Sequence, residues 1–262
     1  MKRRGERITV LTAYDATMAR LLDAAGIDVL LVGDSLGMVM MGYETTVPVT
    51  LDMMVHHASA VVRGARRALV VADMPFLTYR IDLSETLRNA GRLVQDAGVA
   101  AVKLEGGRSS VEATAALTAA GIPVMGHLGL TPQSVHQTGG FRAQAGTPED
   151  AERLIEDALA LESAGAFAVV LETIPAELAG RVTTSLAVPT IGIGAGGECD
   201  GQVLVSYDML GLFQEFVPSF VKQYAKLGDQ VVAAARLYAD EVRGGAFPGT
   251  PQGAAPGGRK RG

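Results

Sequence analysis

Three features of the sequence predict an α/β chain closed into a single-domain (β/α)8 TIM barrel: eight short apolar runs, helix-type stretches between them, and a length of 262 residues. Alternating strand and helix implies a parallel sheet. About 250 residues is the usual span of one such barrel, whereas open doubly wound sheets more often use about five or six strands. The strands are placed at 8–14 (ITVLTAY), 28–33, 68–73, 100–105, 123–127, 167–172, 190–194 and 203–206. Helix start signals lie between them. Pro48 and Thr50 open 50–64, Ser84 with Glu85 opens 84–97, and Thr147, Pro148 and Glu149 open a helix to Ala164. A last helix is expected from Ser219 to Val242. The barrel is assigned to 1–243, and the Gly- and Pro-rich stretch 244–262, which lacks periodicity, to a flexible tail.

Composition narrows the function class. With 48% hydrophobic residues the chain can bury a large core, while a net charge of -5 and a pI near 5.4 leave no basic footprint for nucleic acid or an anionic membrane. Small-molecule partners are expected. Cys199 is the one cysteine, which excludes an internal disulfide or a multi-cysteine metal site and fits a reducing, cytoplasmic setting. The opening MKRRGERITVLTAYDA is basic, but its apolar stretch is too short for a signal peptide, and no apolar run reaches membrane-spanning length.

The informative pattern is where the apolar runs stop. VLLVGDS ends at Asp34, ALVVADM at Asp73, AVKLEGG at Lys103 and Glu105, PVMGHLG at His127 and FAVVLET at Glu172. A charge at the end of a buried strand needs solvent or a partner. In a parallel barrel these ends form the mouth where sites are built. Lys103 and Glu105, two apart, point to the same side. Two carboxylates about 4 Å apart repel by roughly 4 kcal/mol at the dielectric of a partly exposed site. Asp34, Asp73 and Glu105 therefore call for a proton or a cation, and oxygen-only donors suit a hard ion, Mg²⁺ first. Lys103 beside it would recognise a substrate carboxylate. Glu172 is the candidate base for a proton next to a polarised carbonyl, its pKa expected to be raised by the apolar approach. The bland alternatives are a Lys103–Glu105 ion pair, aspartates that cap turns, and Glu172 capping the helix begun by Pro175.

The strings TAYDATMARLLDAAGIDVLLVGDSLGMVMMGYETTVPVT, VVADMPFLTY, AVKLEGG, PVMGHLGLTPQSV, DALALESAGAFAVVLE and TIGIGAGGECDGQVLVSYDMLG closely resemble the ketopantoate hydroxymethyltransferase family, over about residues 8–250. The resemblance implies that Asp34 and Asp73 bind metal and contact the oxo acid, with Glu105 completing the metal set. Ser35 and Lys103 become carboxylate contacts and Glu172 the proton acceptor. It implies transfer of a hydroxymethyl group from 5,10-methylenetetrahydrofolate to 3-methyl-2-oxobutanoate, giving ketopantoate on the way to pantothenate and coenzyme A. It also implies one Mg²⁺ per subunit, a homodecamer, and a helix before the first strand, where this chain has only MKRRGER.

Other residues are left open. His127 is read either as oriented on substrate or metal-bound water, or as a structural hydrogen-bonder. His136 is placed at the folate edge or in solvent, and His56 and His57 in the packing or exposed face of a helix. Gly139, Gly140 and Gly146 are candidate pivots for closure of the segment TPQSVHQTGGFRAQAGTPED over the site, and LGMVMMGYETTVP is a second candidate for closure. Gly192, Gly194 and Gly197 mimic a dinucleotide fingerprint, but no helix is expected after them, and the glycines are read as letting the backbone approach substrate or pterin. Two other functions compete: a carbon–carbon lyase of the isocitrate-lyase and phosphoenolpyruvate-mutase group, for which Cys199 is misplaced, and a non-catalytic oxo-acid sensor.

Overall fold

A computed structural model describes residues 1–135 and 146–249. Eight parallel strands close into a barrel in sequence order, β1 (Ile8–Thr12), β2 (Val29–Val32), β3 (Leu69–Asp73), β4 (Ala101–Glu105), β5 (Val124–Gly129), β6 (Ala168–Glu172), β7 (Thr190–Ile193) and β8 (Gly201–Leu204), with β8 pairing back onto β1. The helices are α1 (Ala16–Ala24), α2 (Leu36–Val39), α3 (Leu51–Gly64), α4 (Leu83–Gln95), α5 (Arg108–Ala119), α6 (Pro148–Ser163), α7 (Ala176–Ser185), α8 (Ser206–Met209) and α9 (Leu227–Arg243). The chain divides into two compact units, Met1–Ser206 with Ser219–Val221, and Tyr207–Pro218 with Lys222–Gly262. Among the described residues no helix is long and apolar enough to cross a membrane.

Side-chain alternation along the strands builds two cores. Val10, Val29, Leu31, Val71, Ala101, Met125, Ala168, Val170, Ile191 and Val203 pack together inside the barrel. The intervening positions, such as Val169 and Leu171, pack outward with Leu154, Leu161, Leu178 and Val182 of α6 and α7. Moving two residues on from Val71, Ala101, Met125 and Val170 along the inward columns reaches Asp73, Lys103, His127 and Glu172. The interior therefore changes from apolar to charged at the C-terminal ends of the strands.

Several expected boundaries shift for local reasons. The eighth strand begins at Gly201, not 203, because Gly201 pairs with Ile8, whose carbonyl oxygen would stand 2.4 Å from any Cβ placed there. No helix intervenes between β7 and β8, as expected of the glycine-rich link. The cap of α4 is Asp82 rather than Ser84; its carboxylate accepts the Glu85 N–H at 2.7 Å. Thr50 and Thr147 cap α3 and α6 as their sequence signals imply. The final helix starts at Leu227, not Ser219. The N–H groups of Tyr224, Leu227 and Gly228 donate to the carbonyls of Met209, Leu210 and Gly211 instead of to a preceding helical turn. Before β1 the chain forms a 3₁₀ turn, Lys2–Arg4. Its Lys2 ammonium donates to the Thr183 and Val188 carbonyls and to Asp200, at the entry to β7 and β8. Of the expected tail, 250–262 lies outside the described residues.

At Gly64 α3 lies close against α1: a Cβ there would meet the Ala16 carbonyl oxygen at 2.3 Å and the Ala19 Cβ at 2.8 Å. Gly64→Ala is expected to cost about 1–3 kcal/mol through forced separation of the two helices, read as a lower urea midpoint; an unchanged midpoint would refute this contact.

Asp208 is buried, its Oδ1 has no hydrogen-bond partner, and burial pushes its carboxyl up to about 6. A carboxyl whose folded pKa exceeds its unfolded value favours the fold only while protonated, so the benefit is lost as pH rises from about 4 to above 6. Asp208→Asn should raise Tm at pH 8 and leave it nearly unchanged below pH 4; an equal difference at both would show that the charge is not the cause.

Candidate active site

Every charged residue that the sequence placed at a strand end lies at the barrel mouth, and all but Glu172 are almost wholly buried. Asp34, Asp73, Lys103, Glu105 and His127 are each less than 5% exposed, and the Glu172 side chain is 17% exposed. Strand pairing sets them side by side. Asp73 is level with Lys103, Glu105 with His127, and Glu172 with Gly129 of the same β5 strand.

Lys103 stands among opposite charges, its Nζ 3.0 Å from Asp73 Oδ1 and 3.1 Å from His127 Nδ1. Burial alone would lower its pKa, but Asp73, Glu105 and Asp34 carry it above the usual lysine range. The expected bland pairing of Lys103 with Glu105 is not the direct one; the ion pair is with Asp73. The backbone N–H of Asp34 donates to Asp73 Oδ2 at 3.1 Å, which ties the ends of β2 and β3 together. Burial, then Asp73 and Glu105, hold the Asp34 carboxyl well above the ordinary carboxylate range. Burial would raise Glu105 too, but the His127 ring, the Lys103 charge and the Gln133 N–H turn the balance downward.

His127 joins the two halves of this group. Its Nδ1 faces Lys103, with Glu105 Oε1 at 3.6 Å, and its Nε2 lies 3.1 Å from Glu172 Oε2, outside hydrogen-bonding alignment. Burial and the Lys103 charge push the imidazolium down; the two carboxylates push it up and prevail, to about 8. An ammonium has no lone pair, so Nδ1 can only accept from Lys103. The contacts therefore accommodate the neutral Nε2–H form, and the upward pull records how strongly both carboxylates call for a proton on the ring.

The capping alternatives do not hold. Pro175 caps α7 without any side-chain bond, and the short α2 has no side-chain cap either. Instead, Thr173, immediately after Glu172, has φ of 51°, a left-handed conformation that is costly for a β-branched residue and recurs at functional sites. Its N–H bonds the Ile193 carbonyl at 2.8 Å, which holds the turn. Ser35 Oγ lies 2.9 Å from the hydroxyl of Tyr14, a fully buried residue.

Sequence reasoning missed Gln133, Tyr79 and Tyr14. Gln133 Nε2 donates to Asp34 Oδ2 at 2.9 Å and its backbone N–H to Glu105 Oε2 at 3.1 Å, while Tyr79 Oη lies 2.8 Å from Gln133 Oε1. The only sequence signal for these neutral residues is their position just after β1, β3 and β5.

The remaining histidines and glycines play smaller parts. His57 bonds the Tyr14 carbonyl through Nδ1 at 2.7 Å and His56 is exposed on α3, in keeping with packing and exposure. Of the expected loop pivots, Gly139 and Gly140, like His136, lie outside the described residues, while Gly146 is exposed. The LGMVMMGYETTVP segment begins with α2, where Leu36 and Gly37 are buried. The close approaches at Gly192 and Gly194 are to Cys199 and Phe220, so protein side chains account for these two glycines.

Mg²⁺ can be tested against the donors. Among the described residues no three Asp, Glu, His or Cys side chains form a ready-made coordination set. Mg²⁺ usually takes only one or two protein carboxylates and keeps several waters, so a closed cage is not required. The donors fit: all are hard oxygens, and burial, then the charges of Asp73 and Glu105, drive Asp34 toward protonation, a push that a cation at this place would relieve.

The family model described as ketopantoate hydroxymethyltransferase matches residues 1–250. Among curated proteins, the 3-methyl-2-oxobutanoate hydroxymethyltransferase of Syntrophus aciditrophicus is 58% identical over 248 residues, covering 95% of this chain and 91% of that one. That of Moorella thermoacetica is 59% identical over 248 residues, covering 95% and 92%. Among solved structures, phosphonopyruvate hydrolase in complex with oxalate and Mg²⁺ superposes with a TM-score of 0.62 at 13% identity, covering 93% of this chain and 84% of that one. A 2,3-dimethylmalate lyase of the phosphoenolpyruvate mutase/isocitrate lyase superfamily gives 0.57 at 19%, covering 97% and 90%. At these identities the structural likeness establishes the barrel and no more.

Proposed function

The chain belongs to the ketopantoate hydroxymethyltransferase family and is a hydroxymethyltransferase, from which we propose the donor, the ion and the residue roles. The reaction combines 3-methyl-2-oxobutanoate, 5,10-methylenetetrahydrofolate and water to give ketopantoate and tetrahydrofolate, the entry to pantothenate and coenzyme A synthesis. The observation that carries this reading is the single network linking Asp34, Asp73, Lys103, Glu105, His127 and Glu172 from five different strand ends.

Lys103 and the Ser35 hydroxyl bind the substrate carboxylate, one as a buried cation and the other as a donor braced by Tyr14. Glu172 removes the proton from C3, its Oε2 lying 3.1 Å from His127 Nε2. Water adds to the folate methylene carbon and its two C–N bonds break, releasing tetrahydrofolate and a one-carbon unit at the formaldehyde level. The carbanion at C3 adds to that carbon, and the resulting alkoxide takes the proton back from Glu172. His127, fixed by Lys103, orients the base and stays in contact with substrate. Asp34, Asp73 and Glu105 would hold Mg²⁺. When bound, the ion supplies a Lewis acid that stabilises negative charge on the substrate oxo oxygen.

The subunits assemble as a homo-oligomer, a decamer by family, in the cytoplasm. Val231, Tyr238 and Val242, spaced i, i+7 and i+11, lie on one face of α9 and are 59%, 57% and 44% exposed, an apolar stripe suited to burial against another chain. Val231→Asp with Tyr238→Asp should shift the mass seen by sedimentation toward the monomer; an unchanged mass would remove this face from the assembly.

The reaction is tested by proton NMR of 3-methyl-2-oxobutanoate in D₂O with Mg²⁺ and no folate. The wild type should exchange the C3 proton in a metal-dependent way, and Glu172→Gln should do so about 10²–10⁴-fold more slowly, the usual worth of a general base. Neither exchange nor ketopantoate on adding methylenetetrahydrofolate would overturn the reading.

A further inference from the structure

Gln133 sits on the 3₁₀ turn Pro132–Ser134 that follows β5, yet its side chain is buried among groups contributed by other strands. Its polar atoms have unambiguous partners. Nε2 meets Asp34 Oδ2 at 2.9 Å and the Met74 carbonyl oxygen at 3.0 Å, both acceptors, so the amide nitrogen must be there and cannot be exchanged with the oxygen. Oε1 therefore accepts from the Tyr79 hydroxyl at 2.8 Å. That hydroxyl in turn receives the Glu105 N–H at 3.2 Å, and the Glu105 carbonyl oxygen, at 3.3 Å, lies farther from it than Oε1 does. The Gln133 backbone N–H completes the set on Glu105 Oε2 at 3.1 Å. One residue thus holds one oxygen of each of two carboxylates that come from different strands.

We propose that Gln133 is a positioning residue for the metal-binding carboxylates, fixing which oxygen of Asp34 and of Glu105 is turned toward the ion, with Tyr79 locking its amide. The proposal rests on the reading of Asp34 and Glu105 as ligands. A carboxylate with one oxygen held by an N–H donor loses rotational freedom and keeps its other oxygen for the ion, the arrangement by which outer partners tune metal sites. The cost of removing it falls on ion binding first and on the fold second. A glutamine that served packing alone would show the reverse order.

The test is Mn²⁺ binding to the full chain without substrate, followed by the electron paramagnetic resonance signal of the free ion, with Tm recorded beside it. Gln133→Met should raise the Mn²⁺ Kd by about 10–100-fold, and Tyr79→Phe should raise it by a smaller factor, in each case with the protein folded at the assay temperature. Asp34→Asn separates the two levels of the argument. If it binds Mn²⁺ like the wild type, the ligand assignment itself fails. If it binds weakly while folded Gln133→Met keeps wild-type affinity, the ligands stand and the positioning role is overturned. Should Gln133→Met not fold, wild-type affinity in Tyr79→Phe overturns the role in its place.

Discussion

Lys103 and the carboxylates of Asp34, Asp73 and Glu105 are all nearly out of contact with water, at one end of a barrel whose interior is otherwise aliphatic. An unpaired charge in such a place is costly enough that the group would neutralise instead. The arrangement persists because each charge has an assigned partner: Lys103 on Asp73, the Asp34 N–H on Asp73, Gln133 on Asp34 and Glu105. Even so, negative charge is in surplus; it adds to the effect of burial in raising Asp34, and at His127 it outweighs burial and the Lys103 charge. A site that holds more carboxylate than cation is prepared for a positive ion or for a proton to be moved, and the proposed chemistry uses both.

The eight strands were legible as short apolar runs between helix-type stretches, and the charged groups at their ends because side chains along a strand follow a two-residue period. Once Val71 or Ala101 is inside, Asp73, Lys103 and Glu105 must lie in the same inward column, whatever the helices outside do. The capping signals at Thr50 and Thr147 were legible for a similar reason, since each depends on a side chain and a backbone donor close in sequence. Where a boundary was misplaced, a distant partner decided it. Gly201 looked like part of a loop until Ile8 was beside it, and 219–226 looked helical although the N–H groups of Tyr224 and, just beyond it, of Leu227 and Gly228 are taken by residues 209–211.

The neutral residues of the site escaped for a physical reason as well. A charge buried at the end of an apolar run is conspicuous because burial is expensive, whereas Gln133 and Tyr79 carry no such penalty once their hydrogen bonds are made. Nothing in LTPQS distinguishes a glutamine that reaches Asp34 from one that faces water. The strain at Thr173 is equally silent, since a threonine after a strand gives no sign of a left-handed backbone.

These silent residues explain how loops of different lengths can present a rigid site. Glu172 is held from behind by a strained turn pinned to Ile193, and from the side by His127; Asp34 and Glu105 are held by a glutamine from the loop after β5. Proton abstraction tolerates little error in the distance between base and carbon, and a carboxylate free to rotate would spend much of its time misaligned. Hydrogen bonds supplied by neutral neighbours restrain the carboxylates without adding charge, so the negative surplus that favours a cation is preserved while the geometry is fixed. Replacing those neighbours with lysine or arginine would give equal rigidity but would neutralise the surplus, which is why amide, hydroxyl and backbone N–H groups suit the positions around these ligands better than a second cation.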